Sequence, residues 1–125
     1  MQDSIVSVGA LIFARSTNRF LFLVRSNGTY SGTWGLVGGK AEAGETARTA
    51  LLREIQEETG IQYHELEFFL NGEKPRKLDD KASILEMPHL LLSELIGENH
   101  YHLDWIFYAK YISNKNIGEE NFEND

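Results

Sequence analysis

Short runs of β-branched and aromatic residues alternate with polar stretches along the first part of the chain. One run extends from Ser4 to Phe13 and a second from Arg19 to Val24, with five mostly polar residues between them. Two such runs joined by a short polar loop predict a β-hairpin. Further along, Glu65 to Leu70 predicts a strand, and the aromatic and apolar run from His102 to Ile112 predicts a central strand.

A single helix stands out between these strands. Residues Glu45 to Thr59 contain neither Gly nor Pro, and Gly60 follows directly, as is usual at a helix end. The glycine-dense stretch before it, residues 28–39, favours a loop over a strand. Pro88 to Ile96 allows two interpretations, because Pro88 can open a short helix that ends near Gly97, whereas 89–95 can equally form a strand.

The predicted helix carries an apolar arc and an acidic arc side by side. Its apolar residues can pack on a sheet, while Glu54, Glu57 and Glu58 fall within about 100° of one another in projection. Like charges at this spacing destabilise an isolated helix, so a bound cation is the natural reason for them. Hard oxygen ligands favour Mg²⁺, with Mn²⁺ as the second choice.

The spacing around these carboxylates forms a longer pattern. From Gly39 the chain has five residues, Glu45, seven residues, and then the segment from Arg53 to Ile61. This pattern, called the box below, resembles the signature of the MutT-like Nudix hydrolases at every defined position, although Val37 stands where many members have proline. The resemblance implies an α/β fold: a Nudix-type α/β/α sandwich with a mixed sheet. No helix pattern follows Ile112, so the family's C-terminal helix is either absent or replaced by 88–96.

The resemblance also implies roles for individual residues. Metal ligands would be the carboxylates of Glu54, Glu57 and Glu58, helped by the carbonyl oxygen of Gly38. Catalysis would involve Glu54, Glu57 and Arg53. Glu54 is the first choice of general base, and Arg53 would position Glu54 and Glu45. A guanidinium suits that task because it can bind two carboxylate oxygens at once.

Candidates outside the helix are less specific. Residues expected to contact substrate are Arg25, Lys40, Trp34 and Gly39, although surface charge explains the two cations equally well and core packing is the favoured fate of Trp34. Family members often recruit a further metal-binding carboxylate, for which we favour Glu120 over three alternatives, Glu98, Asp104 and Glu119. The histidines at 64, 89, 100 and 102 lack metal-ligand spacing and are interpreted as structural.

Composition limits the remaining choices. A chain of 125 residues fits one domain, which we assign to residues 1–117, with an acidic tail at 118–125 that is either disordered or a truncated end. The formal charge of −7 disfavours nucleic acid as a partner. No window suits a membrane span, and the absence of a signal-like start and of cysteine favours the cytoplasm. The sequence leaves it undecided whether the chain forms a homodimer.

The predicted activity is therefore metal-dependent hydrolysis of the diphosphate linkage in a nucleoside diphosphate joined to another group. The substrate is a nucleotide sugar, ADP-ribose, a dinucleoside polyphosphate or a nucleoside triphosphate, and the sequence does not choose among them. The alternative is a non-catalytic Nudix module that binds a nucleotide for regulation. An interaction domain with an acidic face is a third hypothesis, supported only by the net charge.

Overall fold

Two long parallel strands form the centre of the molecule. The computed structural model describes residues 3–24 and 32–115, and it pairs β1 (Asp3–Ala14) with β10 (His100–Tyr111) over twelve consecutive residues. The other strands are β2 (Arg19–Leu21), β3 (Leu23–Val24), β4 (Trp34–Gly35), β5 (Val37–Lys40), β6 (Leu66–Phe68), β7 (Arg76–Lys77), β8 (Ser83–Ile84) and β9 (Leu90–Gly97). The helix α1 spans Ala47–Thr59, and a 3₁₀ turn follows at Tyr63–Glu65.

The main sheet is mixed, as predicted. Strands β2 and β5 pair antiparallel with β1 on one side, while β6 and β9 pair antiparallel with β10 on the other. The hairpin of β1 and β2, the strand near 66 and the central strand near 100–111 are confirmed, although the predicted second strand Arg19–Val24 is divided into β2 and β3, which lie in separate sheets. Strand β9 shows that the helix interpretation of 88–96 is wrong, because this segment satisfies its backbone by pairing with β10.

The helix ends at Thr59 as the sequence predicts, but it begins at Ala47, two residues after the predicted start at Glu45. The Thr46 side chain accepts a hydrogen bond from the Thr49 N–H at 3.2 Å, and Gly60 adopts a left-handed conformation with φ of 78°. Ala50, Leu51 and Ile55 are fully buried and pack into the core cluster on one face of the sheet. Helix α1 is thus fixed to the sheet along one side.

Only one face of the sheet carries a helix among the described residues. Helix α1 packs on the face that contains Val8, Ala10 and Phe107, and 3–24 and 32–115 provide no second helical layer. The C-terminal helix of the expected sandwich is therefore absent from this part of the chain. No helix here has the length and apolar character needed to cross a membrane.

Candidate functional site

Strand β5 and helix α1 meet along a line of glycines. A Cβ on Gly38 would lie 1.9 Å from the Val8 carbonyl oxygen, and a Cβ on Gly39 would lie 2.5 Å from the Glu54 carboxyl carbon. Only glycine allows Val8 and Glu54 to come this close to β5, so no other residue fits the strand at positions 38 and 39. The prediction of a loop was wrong for Gly35, Gly38 and Gly39, all of which lie in strands.

The helix presents its acidic residues to this strand. The Gly38 N–H donates to Glu58 Oε1 at 2.8 Å, and Glu58 is only 5% exposed. The Glu54 side chain is 16% exposed and packs over Gly39, while the Glu57 side chain is 55% exposed. The three carboxylates thus range from buried against β5 to open to solvent.

Arg53 connects the carboxylates to one another and to β5. Its Nε and Nη2 donate to the two oxygens of Glu45, each at 2.9 Å. Its Nη1 donates to Glu54 at 2.9 Å and to Glu57 at 3.4 Å, and Nη2 also donates to the Lys40 carbonyl oxygen at 3.0 Å. We call Glu45, Arg53, Glu54, Glu57 and Glu58 the box group. The structure brings its predicted members together, while their catalytic roles stay predictions.

The charge state of this network follows from its hydrogen bonds. The Arg53 guanidinium, with a further hydrogen bond from the Glu42 N–H, lowers the pKa of Glu45 from 4.5 to about 2. In return, the hydrogen bond to Glu45 is the main cause that raises the pKa of Arg53. Glu45 and Arg53 therefore remain charged at any physiological pH, and the orientation of Glu54 rests on a permanent ion pair.

The residues predicted to contact substrate lie in different environments. Lys40 ends β5 and is exposed, and Gly39 lies beside Glu54. Trp34 is 69% exposed in the short strand β4, so the favoured expectation of core packing was wrong. Within residues 3–24 and 32–115, the two-stranded ribbon of β3 and β4 gives its indole no second layer to pack against. Arg25 and Glu120 lie outside the described residues.

A second polar group lies on the opposite face of the sheet. Ligand atoms of Glu94, His102 and Asp104 all lie within 4.8 Å of one another, and we call these residues the strand group. Ser7 donates a hydrogen bond to Asp104 and pairs with Lys40 in the neighbouring strand. Asp104 therefore lies in the row of residues that runs from Lys40 through Ser7, whereas His102 and Glu94 pair in a neighbouring row on the same face.

Sequence reasoning missed this second group. The alternation of His102 and Asp104 on a predicted strand was the available signal, since residues two apart share a face. Their meeting with Glu94 depends on the pairing of β9 with β10, which the sequence did not specify. The structural interpretation of His102 stays a prediction, and a ligand atom of its imidazole lies within 4.8 Å of ligand atoms of Glu94 and Asp104. His89 is structural: its Nδ1 accepts the Tyr108 N–H at 3.2 Å.

The box group fits a divalent cation by its chemistry. Its donors are carboxylate oxygens beside a glycine strand, and such oxygens are the ligands that Mg²⁺ and Mn²⁺ prefer. A side chain on Gly39 would fill the space that the Glu54 carboxylate uses. The residues present are therefore suited to hold a metal at the junction of α1 and β5.

Comparison with known proteins identifies the family. The NUDIX domain profile matches residues 3–105, so the chain belongs to the NUDIX domain family. It is 46% identical over 44 residues to an ADP-ribose pyrophosphatase of Methanocaldococcus jannaschii, which covers 35% of this chain and 26% of that protein. It is 34% identical over 88 residues to a putative 8-oxo-dGTP diphosphatase 2 of Mycobacterium tuberculosis, covering 64% of this chain and 57% of that protein.

Solved structures support the fold. A MutT protein from Methanosarcina mazei has a TM-score of 0.65 at 24% identity, over 98% of this chain and 75% of that one. The Ap4A hydrolase of C. elegans has a TM-score of 0.65 at 17% identity, over 97% of this chain and 79% of that one. The chain spans between about a quarter and just over half of the length of the curated relatives that it matches.

Proposed function

We propose that this protein hydrolyses the diphosphate linkage of a nucleoside diphosphate joined to another group, in a reaction that depends on a divalent metal. The observation that carries this proposal is the network in which Arg53 fixes Glu45 and Glu54 beside Gly39. A solvated acidic helix face would leave its carboxylates separate and mobile. Here a partly buried ion-pair network orders one of them before any ligand binds.

The residues of the box group have distinct tasks in this proposal. Glu54, Glu57, Glu58 and the Gly38 carbonyl oxygen would hold a divalent metal, which would supply neutralisation of the diphosphate and polarisation of the attacking water. Glu54 accepts the proton of that water, because Arg53 holds its carboxylate in one orientation. Glu45 positions Arg53 through its two hydrogen bonds.

The substrate contacts are proposed along β4 and β5. Lys40 supplies an exposed cation at the end of β5, and the exposed indole of Trp34 offers a surface on which a base or ribose can stack. Gly39 allows the phosphates to approach the backbone closely. Arg25 and Glu120 keep the roles predicted for them, as a phosphate contact and a further metal ligand. Mg²⁺ is the expected metal, with Mn²⁺ able to replace it.

The test is a product-mass screen of ADP-ribose, nucleotide sugars, dinucleoside polyphosphates and 8-oxo-dGTP, each with Mg²⁺ and with Mn²⁺. We expect turnover of at least one class and complete loss of turnover with EDTA. Glu57→Gln should lower kcat by about 10²-fold or more, because a lost ligand charge loosens the ion that stabilises the transition state.

A matched control separates this effect from a general loss of charge. Glu73 is 67% exposed and pairs with Arg76, so Glu73→Gln removes one charge far along the chain and should leave kcat unchanged. Undiminished hydrolysis in chelated protein would refute the metal mechanism. Tight binding of nucleotides from this panel with no turnover of any substrate would instead identify a non-catalytic nucleotide-binding module.

A further inference from the structure

The strand group lies where the edge strand β9 meets the central strand β10. Glu94 of β9 pairs directly with His102 of β10, and Asp104 follows two residues later on the same face of the sheet. This face is opposite the one on which α1 packs. All three residues are partly buried. The sheet thus brings one imidazole and two carboxylates together from two neighbouring strands.

The three side chains are spaced to share an ion and do not bond to one another. Their ligand atoms lie within 4.8 Å of one another, yet in the described part of the chain no hydrogen bond or ion pair joins His102 to either carboxylate. Ligands bound to Zn²⁺ at about 2.0–2.2 Å lie about 3.4 Å from each other in a tetrahedral arrangement. A modest rotation of the long Glu94 side chain covers the remaining distance.

The charges of the group favour a bound cation. Glu94 and Asp104 place two carboxylates beside each other, and like charges at this separation repel. The ion pairs that lysine and arginine form within residues 3–24 and 32–115 all involve other glutamates. A protonated imidazole would supply a single positive charge. A divalent ion supplies two and also takes the ring nitrogen of His102 as a ligand, so it satisfies all three side chains.

Ser7 of β1 orients one carboxylate from outside the group. Its hydroxyl donates a hydrogen bond to Asp104 Oδ1, and the two residues are paired in register across β1 and β10. Carboxylates that bind metals are usually oriented by a hydrogen bond of this kind, and its loss weakens metal binding. Asp104 is therefore held in position by a third strand before an ion binds.

We propose that the strand group binds a divalent transition-metal ion, with Zn²⁺ as the best fit, at a site separate from the box group. The imidazole nitrogen favours Zn²⁺ over Mg²⁺, whereas the oxygen ligands of the box group favour Mg²⁺. The ion joins Glu94 of β9 to two residues of β10, so it ties the edge strand to the centre of the sheet and stabilises the folded chain. This site does not depend on the hydrolytic activity proposed above.

The first experiment is a Zn²⁺ titration of the full chain, followed by NMR of the histidine side chains with excess Mg²⁺ present throughout. The box group contains no histidine, so the imidazole resonances do not report on it. The His102 resonances, assigned by their loss in His102→Gln, should shift until they saturate with Zn²⁺, and Mg²⁺ alone should not shift them. His64→Gln changes an exposed histidine in the 3₁₀ turn and should leave this shift intact. Unchanged His102 resonances at saturating Zn²⁺ overturn the proposal.

A second experiment measures Zn²⁺ affinity by calorimetry and does not depend on how His102→Gln folds. Glu94→Gln should weaken binding at least about tenfold, and Ser7→Ala by about 10–100-fold, whereas Ser7→Thr keeps the hydroxyl and should bind nearly as the unaltered protein does. Glu67→Gln is the matched control, because Glu67 is an exposed carboxylate of β6, which also pairs with β10. Thermal unfolding in EDTA checks that each variant folds. Equal Zn²⁺ affinity of Glu94→Gln and Glu67→Gln would contradict a metal site in the strand group.

Discussion

The two faces of the central sheet carry acidic groups of different construction. In the box group, the carboxylates come from one helix turn and the loop before it, and Arg53 contacts three of them. In the strand group, Glu94, His102 and Asp104 come from two paired strands, and Ser7 of a third strand donates to Asp104. The first group is organised by a guanidinium, whereas the second has an imidazole as its only basic member.

This difference determines how firmly each group is ordered without a ligand. The bidentate contact with Arg53 lowers the pKa of Glu45 to about 2, so the ion pair survives at any pH at which the protein works. A permanent ion pair that also binds the Lys40 carbonyl oxygen ties α1 to β5. Chemistry that needs a fixed carboxylate is therefore better served by the box group than by the strand group.

The sharpest test of the comparison exchanges a carboxylate for its amide on each face. Glu54→Gln should lower kcat by about 10²–10⁴-fold, the usual contribution of a general base, while Asp104→Asn should change kcat by less than tenfold. Both changes are isosteric, and circular dichroism should confirm that both variants fold. Steady-state kinetics at saturating metal measures the two effects. A larger loss in Asp104→Asn would move the catalytic base to the strand group.

A smaller effect is expected when a methyl group is added beside Glu54. Gly39→Ala would place a Cβ 2.5 Å from the Glu54 carboxyl carbon, so this side chain must move and Arg53 loses its partner geometry. We expect kcat to fall by about 10–100-fold, since misplacement by about 1 Å can cost that much. Gly97→Ala is the control, because its Cβ would meet no atom within 4 Å. Equal activity of the two variants would show that the position of Glu54 tolerates change.

The smallest expected effect is on the free energy of unfolding and its dependence on pH. The pKa of Glu45 in the folded protein is about 2, below its ordinary value of 4.5, so its contribution to stability is present above pH 4.5 and is lost as the pH falls toward 2. Urea midpoints at pH 7 and at lower pH measure it. Glu45→Gln should be less stable than the unaltered protein at pH 7, and the difference should shrink below pH 4.5. A difference independent of pH would mean that the ion pair does not stabilise the fold.

The sequence by itself determined the elements whose signals are local. The helix could be predicted because its run of helix-forming residues, its apolar arc and Gly60 are all local, although its first residue, Ala47, lies two positions after the predicted one. The acidic arc and the spacing of the box, which gave the family and the proposed chemistry, are also local. The central strand near 100–111 could be predicted because the aromatic and apolar run in this segment is too long for a turn or a short edge strand.

Tertiary structure alone decided the features that depend on strand register. The segment 88–96 could form a helix or a strand by local preference, and its pairing with β10 chose the strand. By sequence alone Gly38 and Gly39 predicted a loop. In the folded chain Val8 and Glu54 lie so close to them that glycine is needed in the strand. The meeting of Glu94 with Asp104, and the exposure of Trp34, likewise depend on neighbours far along the chain. Periodicity fixes which face of a strand a residue occupies, but only long-range packing fixes what lies opposite.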